Sequence, residues 1–177
     1  SIAVDANGNS YIIGDFESSS ITFGTITLTN SSNEYDDIFV AKLDSNGNWL
    51  WAKQAGGTSY DYGRSIAVDA NGNSYVTGNF YGSATFGTTT LTSSEYDDIF
   101  VAKLDSNGNW LWAKQTDGTS SVCGYSIAVD ANGNSYVTGD FYENATFGTI
   151  TLTSIESADI FVAKLDSNGN WLWAKQA

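Results

Sequence analysis

Six aspartates have the clearest potential for chemistry, because each opens the same five-residue pattern, D-x-N-G-N. They are Asp5, Asp44, Asp69, Asp105, Asp130 and Asp166. Carboxylate and amide oxygens are the ligands that calcium prefers, so the pattern is a candidate calcium loop. An EF-hand loop, however, has its glycine later in the loop and needs a distant Glu as a further ligand. Asn-Gly between two apolar segments is typical of a tight hairpin turn, in which the aspartate accepts hydrogen bonds from backbone N–H groups. We therefore predict that the six aspartates are structural turn residues and that the protein needs no cofactor or metal, with an incidental calcium ion as the alternative.

The chain contains no histidine and one cysteine, Cys123. A Ser-His-Asp or Cys-His site within the chain is therefore excluded, and only carboxylate chemistry remains. The acid pairs Asp36/Asp37 and Asp97/Asp98 are adjacent in sequence, so in a strand their side chains point to opposite faces. We predict that the protein is not an enzyme, and we keep a carboxylate-dependent polysaccharide-degrading enzyme as the less favoured alternative.

The net charge and the lengths of the apolar stretches each exclude one class of interaction. Seven Lys and Arg stand against twenty Asp and Glu, which gives a net charge of −13. Binding to a phosphate backbone needs cationic side chains that replace its counterions, so we predict no nucleic-acid partner. No apolar stretch approaches the roughly 18 residues of a membrane span, so we predict no membrane insertion. Polar positions rich in Ser, Thr, Asn and Gly favour a secreted or cell-surface protein.

Three copies of one unit account for nearly the whole chain. The segment SIAVDANGNSY begins at Ser1, Ser65 and Ser126, and DSNGNWLWAK occurs three times at a spacing of 61 residues. Such self-similarity is the signature of a repeat architecture. We predict one continuous repeat domain with units at residues 1–55, 56–116 and 117–177.

Each unit is predicted to contain four antiparallel strands, which we call A to D. In the first copy they are Ser1–Asp5, Ser10–Phe16, Asp37–Leu43 and Trp49–Gln54. The continuous apolar run in strand C indicates burial on both faces, as in a β-propeller blade that packs between two neighbours. We predict an all-β fold of three such blades forming an open arc. A β-trefoil also has three four-stranded units, but it would not explain the burial of both faces of strand C.

The sequence blocks also carry a family resemblance. GRSIAVDANGNSYVTGNF, ATFGTTTLT, DDIFVAKLDSNGNWLWAKQ and GGTSYDYG resemble the bacterial beta-propeller repeat called SBBP, and the IAVD-x-x-GN-x-Y segment is more distantly similar to NHL-type blades. The resemblance covers essentially the whole chain. It implies a secreted or cell-surface propeller, and it carries over no catalytic residue, because most members have no assigned chemistry.

The candidate binding surface is the blade end that carries the long B–C and D–A links, opposite the Asn-Gly turns. The copies differ almost entirely in these links, and loops on a rigid scaffold are where binding usually lies. Aromatic rings beside carboxylates suit sugars, since rings stack on CH groups and carboxylates accept from hydroxyls. This favours a carbohydrate-binding, lectin-like propeller as the alternative function, while the simpler interpretation is that the tyrosines pack the loops. The candidate ligand-binding residues are Tyr35, Asp36, Tyr60, Asp61, Tyr62, Tyr96, Asp97, Tyr125, Tyr142 and Glu143.

Two aromatic patterns recur in every unit. Trp49 and Trp51 are two residues apart, so in a strand they should share one face, either packing between blades or forming a slot for a sugar. Phe23, in the TFGT segment, is predicted to anchor the B–C link to the blade as a short extra hairpin.

Three blades leave two blade faces uncovered, because propellers close with four to eight blades. Two chains could pair as half-rings into a six-bladed ring, or the chain could be a segment of a longer array. We therefore expect a non-catalytic extracellular scaffold for structure or protein interaction that assembles with itself. Its expected partners are a second copy or further blades, with glycans or cell-surface proteins as additional ones.

Overall fold

The regular structure of the described residues consists of β-strands, which are joined by tight turns at one end of each sheet and by longer links at the other. The computed structural model describes residues 1–32 and 34–177. In the first repeat the strands are β1 (Ile2–Val4), β2 (Ser10–Phe16), β3 (Ser20–Phe23), β4 (Ile26–Thr29), β5 (Asp37–Leu43) and β6 (Trp49–Gly57).

The second repeat contains β7 (Asp61–Val68), β8 (Ser74–Phe80), β9 (Ser83–Phe86), β10 (Thr89–Thr92), β11 (Asp98–Leu104), β12 (Trp110–Gln115) and, at its end, β13 (Asp117–Gly118). The third contains β14 (Val122–Val129), β15 (Ser135–Phe141), β16 (Asn144–Phe147), β17 (Ile150–Thr153), β18 (Asp159–Leu165) and β19 (Trp171–Gln176). None of the described residues forms a helix that could cross a membrane.

Each repeat folds into a four-stranded antiparallel sheet in the predicted order A-B-C-D. The sheets are β1-β2-β5-β6, β7-β8-β11-β12 and β14-β15-β18-β19. The sequence therefore predicted the fold class correctly: the protein is an all-β chain of blade-like sheets in an open arc. Strands B and C of the first copy match their predicted bounds, because apolar runs flanked by Asn-Gly turns are strong local signals.

The predicted extra hairpin in the B–C link is present in all three repeats, as β3-β4, β9-β10 and β16-β17. The second and third hairpins also pair with the preceding blade. Gly56 and Gly57 at the end of β6 pair with Thr85 and Ala84 of β9. The short strand β13 pairs with β16 in the same way. The sequence did not predict these pairings, because they join segments from different repeats.

The hydrophobic core lies between the blades. One buried cluster joins residues of the first and second sheets, and a second cluster joins the second and third sheets. Strand β11, in the middle blade, is buried at every position, as expected for a sheet covered on both faces. Strand β18 in the last blade alternates between buried and exposed residues. The blades therefore stabilise one another through their faces.

The prediction that Trp49 and Trp51 share a face is wrong. Strand β6 has a bulge in its pairing with β5, where Lys42 pairs with Trp51 and Leu43 with Trp49, so that Leu50 is skipped. A bulge of one residue reverses the alternation of side chains. Trp49 therefore packs on Phe23 of the hairpin, 4.9 Å between ring centroids. Trp51 packs on the opposite face of the sheet.

Trp51 links the first blade to the second. Its indole Nε1 donates to the carbonyl oxygen of Ser106 at 3.1 Å, and its ring meets Tyr11 edge to face. Trp112 makes the same bond to Ser167 at the next junction, at 3.2 Å. Trp51 and Trp112 thus have one of the two roles that were predicted for the tryptophans, namely packing between blades.

We predict that Trp51→Phe destabilises the protein more than Trp49→Phe, although both changes remove the same atoms from the same strand. Of these two tryptophans, Trp51 donates a hydrogen bond that spans two blades, and its loss leaves the carbonyl of Ser106 without that donor. The difference in the free energy of unfolding should be about 1 kcal/mol. Urea unfolding followed by tryptophan fluorescence measures it, and equal costs for the two variants would contradict this role of Trp51.

Candidate functional site

The Asn-Gly turns use both oxygens of their aspartate. In the first turn, Oδ1 of Asp5 accepts from the backbone N–H groups of Asn7 and Asn9, each at 2.9 Å. Its Oδ2 accepts from the side-chain amide of Asn9 at 2.8 Å. The other five turns repeat this pattern at Asp44, Asp69, Asp105, Asp130 and Asp166. The carboxylates therefore act as caps that hold the turn.

These hydrogen bonds favour the ionised form of the carboxylate. The side-chain amide of Asn134 and the backbone N–H groups of Asn134 and Asn132 lower the pKa of Asp130 to about 2. The side-chain amides of Asn48 and Asn170 lower the pKa of Asp44 and Asp166 in the same way. Among the described residues there is no group of three or more His, Cys, Asp or Glu side chains that could hold a metal.

The opposite end of the first blade junction carries three adjacent tyrosine rings with an arginine at one end, which we call the tyrosine ladder: Tyr35, Tyr60, Tyr62 and Arg64. Tyr35 meets Tyr60 edge to face at 4.6 Å, and Tyr60 stacks on Tyr62 at 6.0 Å between ring centroids. The guanidinium of Arg64 lies 4.8 Å from the centre of the Tyr62 ring. Tyr35 precedes β5, whereas Tyr62 and Arg64 lie two residues apart on β7. The ladder therefore spans both long links of the junction.

Acidic groups surround the ladder. Burial raises the pKa of Tyr62, and the nearby charges of Asp36 and Asp15 raise it further. Burial also raises the pKa of Asp15 and Asp97, while Arg64 opposes the shift of both. Arg64 is the only arginine of the sequence. It supplies the positive charge at a mainly acidic end of the blades.

The remaining candidate residues form other groups. Tyr96 and Asp97 occupy, in the second repeat, the positions of Tyr35 and Asp36, and Tyr96 is exposed. Tyr125 donates its hydroxyl to Asp140 at 2.9 Å. Tyr142 is exposed, and its neighbour Glu143 accepts from the hydroxyl of Thr119 at 3.1 Å. The ten candidate residues thus belong to several local clusters.

The predicted place of Asp61 in an exposed loop is wrong. Asp61 begins strand β7, pairs with Phe80, and is completely buried. Strand A of the second repeat starts four residues earlier than predicted, through a bulge after Gly63. Tyr62 and Tyr125 likewise lie within strands. The early start depends on Gly63, where a Cβ would lie 2.6 Å from Cγ1 of Ile13 in the preceding blade, and that close approach is not visible in the local sequence.

A groove runs along the outer side of each blade junction. The two grooves have volumes of about 530 and 500 Å³ and similar linings, with Lys53 and Trp110 in one and Lys114 and Trp171 in the other. The Trp110 ring packs edge to face on Phe86 at 5.2 Å, and its Cβ and Cδ1 atoms lie against Gly87. The side-chain amide of Asn109 is bound to its turn aspartate. The tryptophan ring and the asparagine amide that a sugar slot would use are thus already engaged, the ring in packing and the amide in a hydrogen bond within its turn.

Comparison with known families identifies the repeat. Residues 50–79 and 111–140 match the model of the SBBP family, described as a beta-propeller repeat. In these two segments the chain is similar to SBBP beta-propeller repeats. This confirms the resemblance seen in the sequence. Each matched segment runs from strand D of one blade to strand B of the next, so the family pattern spans a blade junction.

A curated relative extends this finding. An uncharacterized WD repeat-containing protein of Acanthamoeba polyphaga mimivirus is 31% identical over 114 residues. The alignment covers 54% of this chain and 8% of the relative, so the chain spans a small part of that protein. Both comparisons indicate a repeat scaffold or interaction module.

We predict that acid weakens the turns and that calcium does not affect them. A carboxylate with a lowered pKa contributes stability above its unfolded pKa of 3.8, and this contribution is lost as the pH falls through the folded value near 2. Asp130→Asn should therefore lose less thermal stability than the wild type between pH 4 and pH 2. A chelator at pH 7 should leave the melting temperature unchanged, and a drop in that measurement would indicate a calcium loop instead.

Proposed function

We propose that the chain is a non-catalytic, secreted or cell-surface module for structure and protein interaction, and that a second copy covers its open blade face. SBBP repeats support the scaffold role. The polar composition supports the location. The assembly rests on a comparison of equivalent positions in the three repeats, which carry the same residues but differ in exposure.

Strand C carries the supporting observation. In the second repeat Ile99 and Val101 are completely buried, as are the equivalent residues of the first repeat. In the third repeat Ile160 and Val162 are 56% and 41% exposed. The side chains are the same, so the difference reflects the neighbouring blades. The face that Ile160 and Val162 expose has the composition of a face that packs against another blade.

The first repeat offers the complementary face. Ile2 of β1 is 63% exposed, whereas Ile66, its counterpart in the second repeat, is 5% exposed within a blade junction. The tryptophan bonds show the same complementarity. Trp173 corresponds to Trp51 but has no acceptor among the described residues, and Ser45 of the first repeat corresponds to the acceptor Ser106.

These two faces differ, so contact between copies would be head to tail. Head-to-tail contacts form a closed ring only if the rotation from one copy to the next, repeated for each copy, adds up to a full circle. Two copies of three repeats give six blades, within the range of four to eight found in propellers. A ring of two chains would cover both end faces with contacts like those between the internal blades.

Val162→Asp tests this assembly. A charge on the covered face should weaken association at least about a hundredfold, because it would be buried without a partner. Leu172→Asp is the matched control. Leu172 sits at the bulge position whose counterparts Leu50 and Leu111 stay exposed even at internal junctions.

Light scattering over a wide range of concentrations gives the mass. We expect two chains for the wild type and for Leu172→Asp, and one chain for Val162→Asp. A wild-type protein that stays monomeric at every concentration would overturn the proposed pairing of copies. A mass of more than two chains that grows with concentration would indicate an open, filament-like series instead.

A second candidate function is glycan binding by the tyrosine ladder. Three adjacent tyrosine rings with an arginine and carboxylates nearby offer stacking surfaces and hydrogen-bonding groups for a saccharide. In a glycan-array assay, Tyr60→Ala should weaken any binding about tenfold or more, while Tyr142→Ala, at an exposed tyrosine of the third repeat, should not. Equal loss in both variants, or no binding by the wild type, would exclude the ladder as a lectin site.

A further inference from the structure

Two buried carboxyl groups meet at the first blade junction. Asp37 begins β5 and Asp61 begins β7, and both side chains are completely buried. They converge above Gly56. A Cβ at Gly56 would overlap Oδ1 of Asp37 and would lie 3.1 Å from Oδ2 of Asp61. The absence of a side chain at Gly56 therefore provides the space in which the two groups approach each other.

Each carboxyl group has donors for one oxygen only. Oδ2 of Asp37 accepts from the backbone N–H of Ser31 at 2.7 Å and from the side-chain amide of Gln54 at 2.6 Å. Oδ2 of Asp61 accepts from the backbone N–H of Gly57 at 2.8 Å. Within the described ranges, Oδ1 of each aspartate is buried without a hydrogen-bond partner. Two buried polar atoms at the first blade junction thus have no hydrogen-bond partner among the described residues.

No cation neutralises this pair within the part of the chain that the structure describes. Charged groups on the surrounding segments include Asp15 on β2, Asp36 before β5, Lys53 on β6 and Arg64 on β7. Asp36 adds to the repulsion at Asp37, and Arg64 acts on Asp15 instead. Neither Lys53 nor Arg64 forms an ion pair with the two buried aspartates.

Two adjacent carboxylates without a counter-charge cannot both remain ionised in a buried site, because each disfavours the charge of the other. A single proton removes one charge and supplies the missing donor. We propose that Asp37 and Asp61 hold one proton between them, as a hydrogen bond from a carboxylic acid to a carboxylate that ties the first blade to the second. The bond runs from one carboxyl group to the other across the space at Gly56, beside which Oδ1 of Asp37 and Oδ2 of Asp61 both lie.

The electrostatics of the site agree with this geometry. Burial, together with the charge of Asp37, raises the pKa of Asp61 to about 8. Burial also raises the pKa of Asp37. An acid whose pKa is higher in the folded state binds its proton more tightly there. The stability that it contributes is therefore complete below pH 3.8, falls as the pH rises towards 8, and then stays constant.

The second junction provides a natural comparison within the same chain. Asp98 corresponds to Asp37, but Val122 replaces Asp61 and Asp117 replaces Gly56. Val122 is completely buried, so the position tolerates an apolar side chain. The second junction therefore has a single buried acid, whereas the first has a pair. The pair lies inside one chain and does not depend on the binding of a second copy.

Asp61→Val, which copies the second junction, tests the proposal. The unfolding equilibrium constants of the wild type and the variant, measured in urea at fixed protein concentration, should be compared from pH 5 to pH 9. The ratio of wild type to variant should rise with pH, by up to tenfold per pH unit, and become constant above about pH 8. Asp61→Asn keeps a donor for Asp37 at every pH and should show the same trend. A ratio that does not change with pH overturns the proposal.

Titration of the wild-type carboxyl carbons by carbon-13 NMR provides a second measurement that needs no variant. We expect the carboxyl signals of Asp37 and Asp61 to change together, with a midpoint near pH 8. Titration of both below pH 5, or of Asp61 with no response at Asp37, would show that no proton is shared. Calcium that stabilises the wild type at pH 7 but not Asp61→Val would identify a cation between the carboxylates and would also overturn the proposal.

Discussion

The fold depends on one constraint: both faces of each small sheet must be covered. A four-stranded sheet with apolar residues on both faces cannot be stable alone, so the blades supply one another with a core. Both faces of the sheet are covered at strand β11, which is fully buried, whereas one face is left open at strand β18, which is partly exposed. The bulge in strand D serves the same need, because it turns Trp49 towards its own hairpin and Trp51 towards the next blade.

The junction between blades, more than the blade, is thus the structural unit of this protein. The segments that match the SBBP model run across junctions, and the hairpins of the second and third blades pair with the strand end of the blade before. The two junctions share their tryptophans and turns but differ at the long-loop end. Gly56, Asp61 and Arg64 in the first correspond to Asp117, Val122 and Tyr125 in the second. A difference in function between junctions would have to arise at that end.

The sequence predicted what local signals determine. Asn-Gly turns and apolar runs gave strands β2 and β5 their correct bounds, and the repeat period gave the blade architecture. Prediction from the sequence failed mainly where contacts between repeats decide the conformation. The early start of β7 at Asp61 and the pairing of Gly57 with β9 both depend on a neighbouring blade. Within the candidate surface, Tyr35 and Tyr60 were predicted correctly as loop residues, whereas Arg64 and the burial of Asp61 were missed for the same reason. The bulge beside Leu43 recurs in every blade, the last one included, and was missed because the order of residues along the strand does not show it.

Aspartate has opposite roles at the two ends of the blades, although the residue type is the same. At the turn end, backbone and amide N–H groups stabilise the charge, and the pKa of Asp130 falls to about 2. At the long-loop end, burial with few donors disfavours the charge, and the pKa of Asp61 rises to about 8. The difference comes from donors and water, not from the net charge of −13, which acts on the whole molecule. The carboxylates of the turns already accept hydrogen bonds on both oxygens. Protons or ligands that bind to acidic groups should therefore act at the long-loop end, where the repeats also differ in sequence.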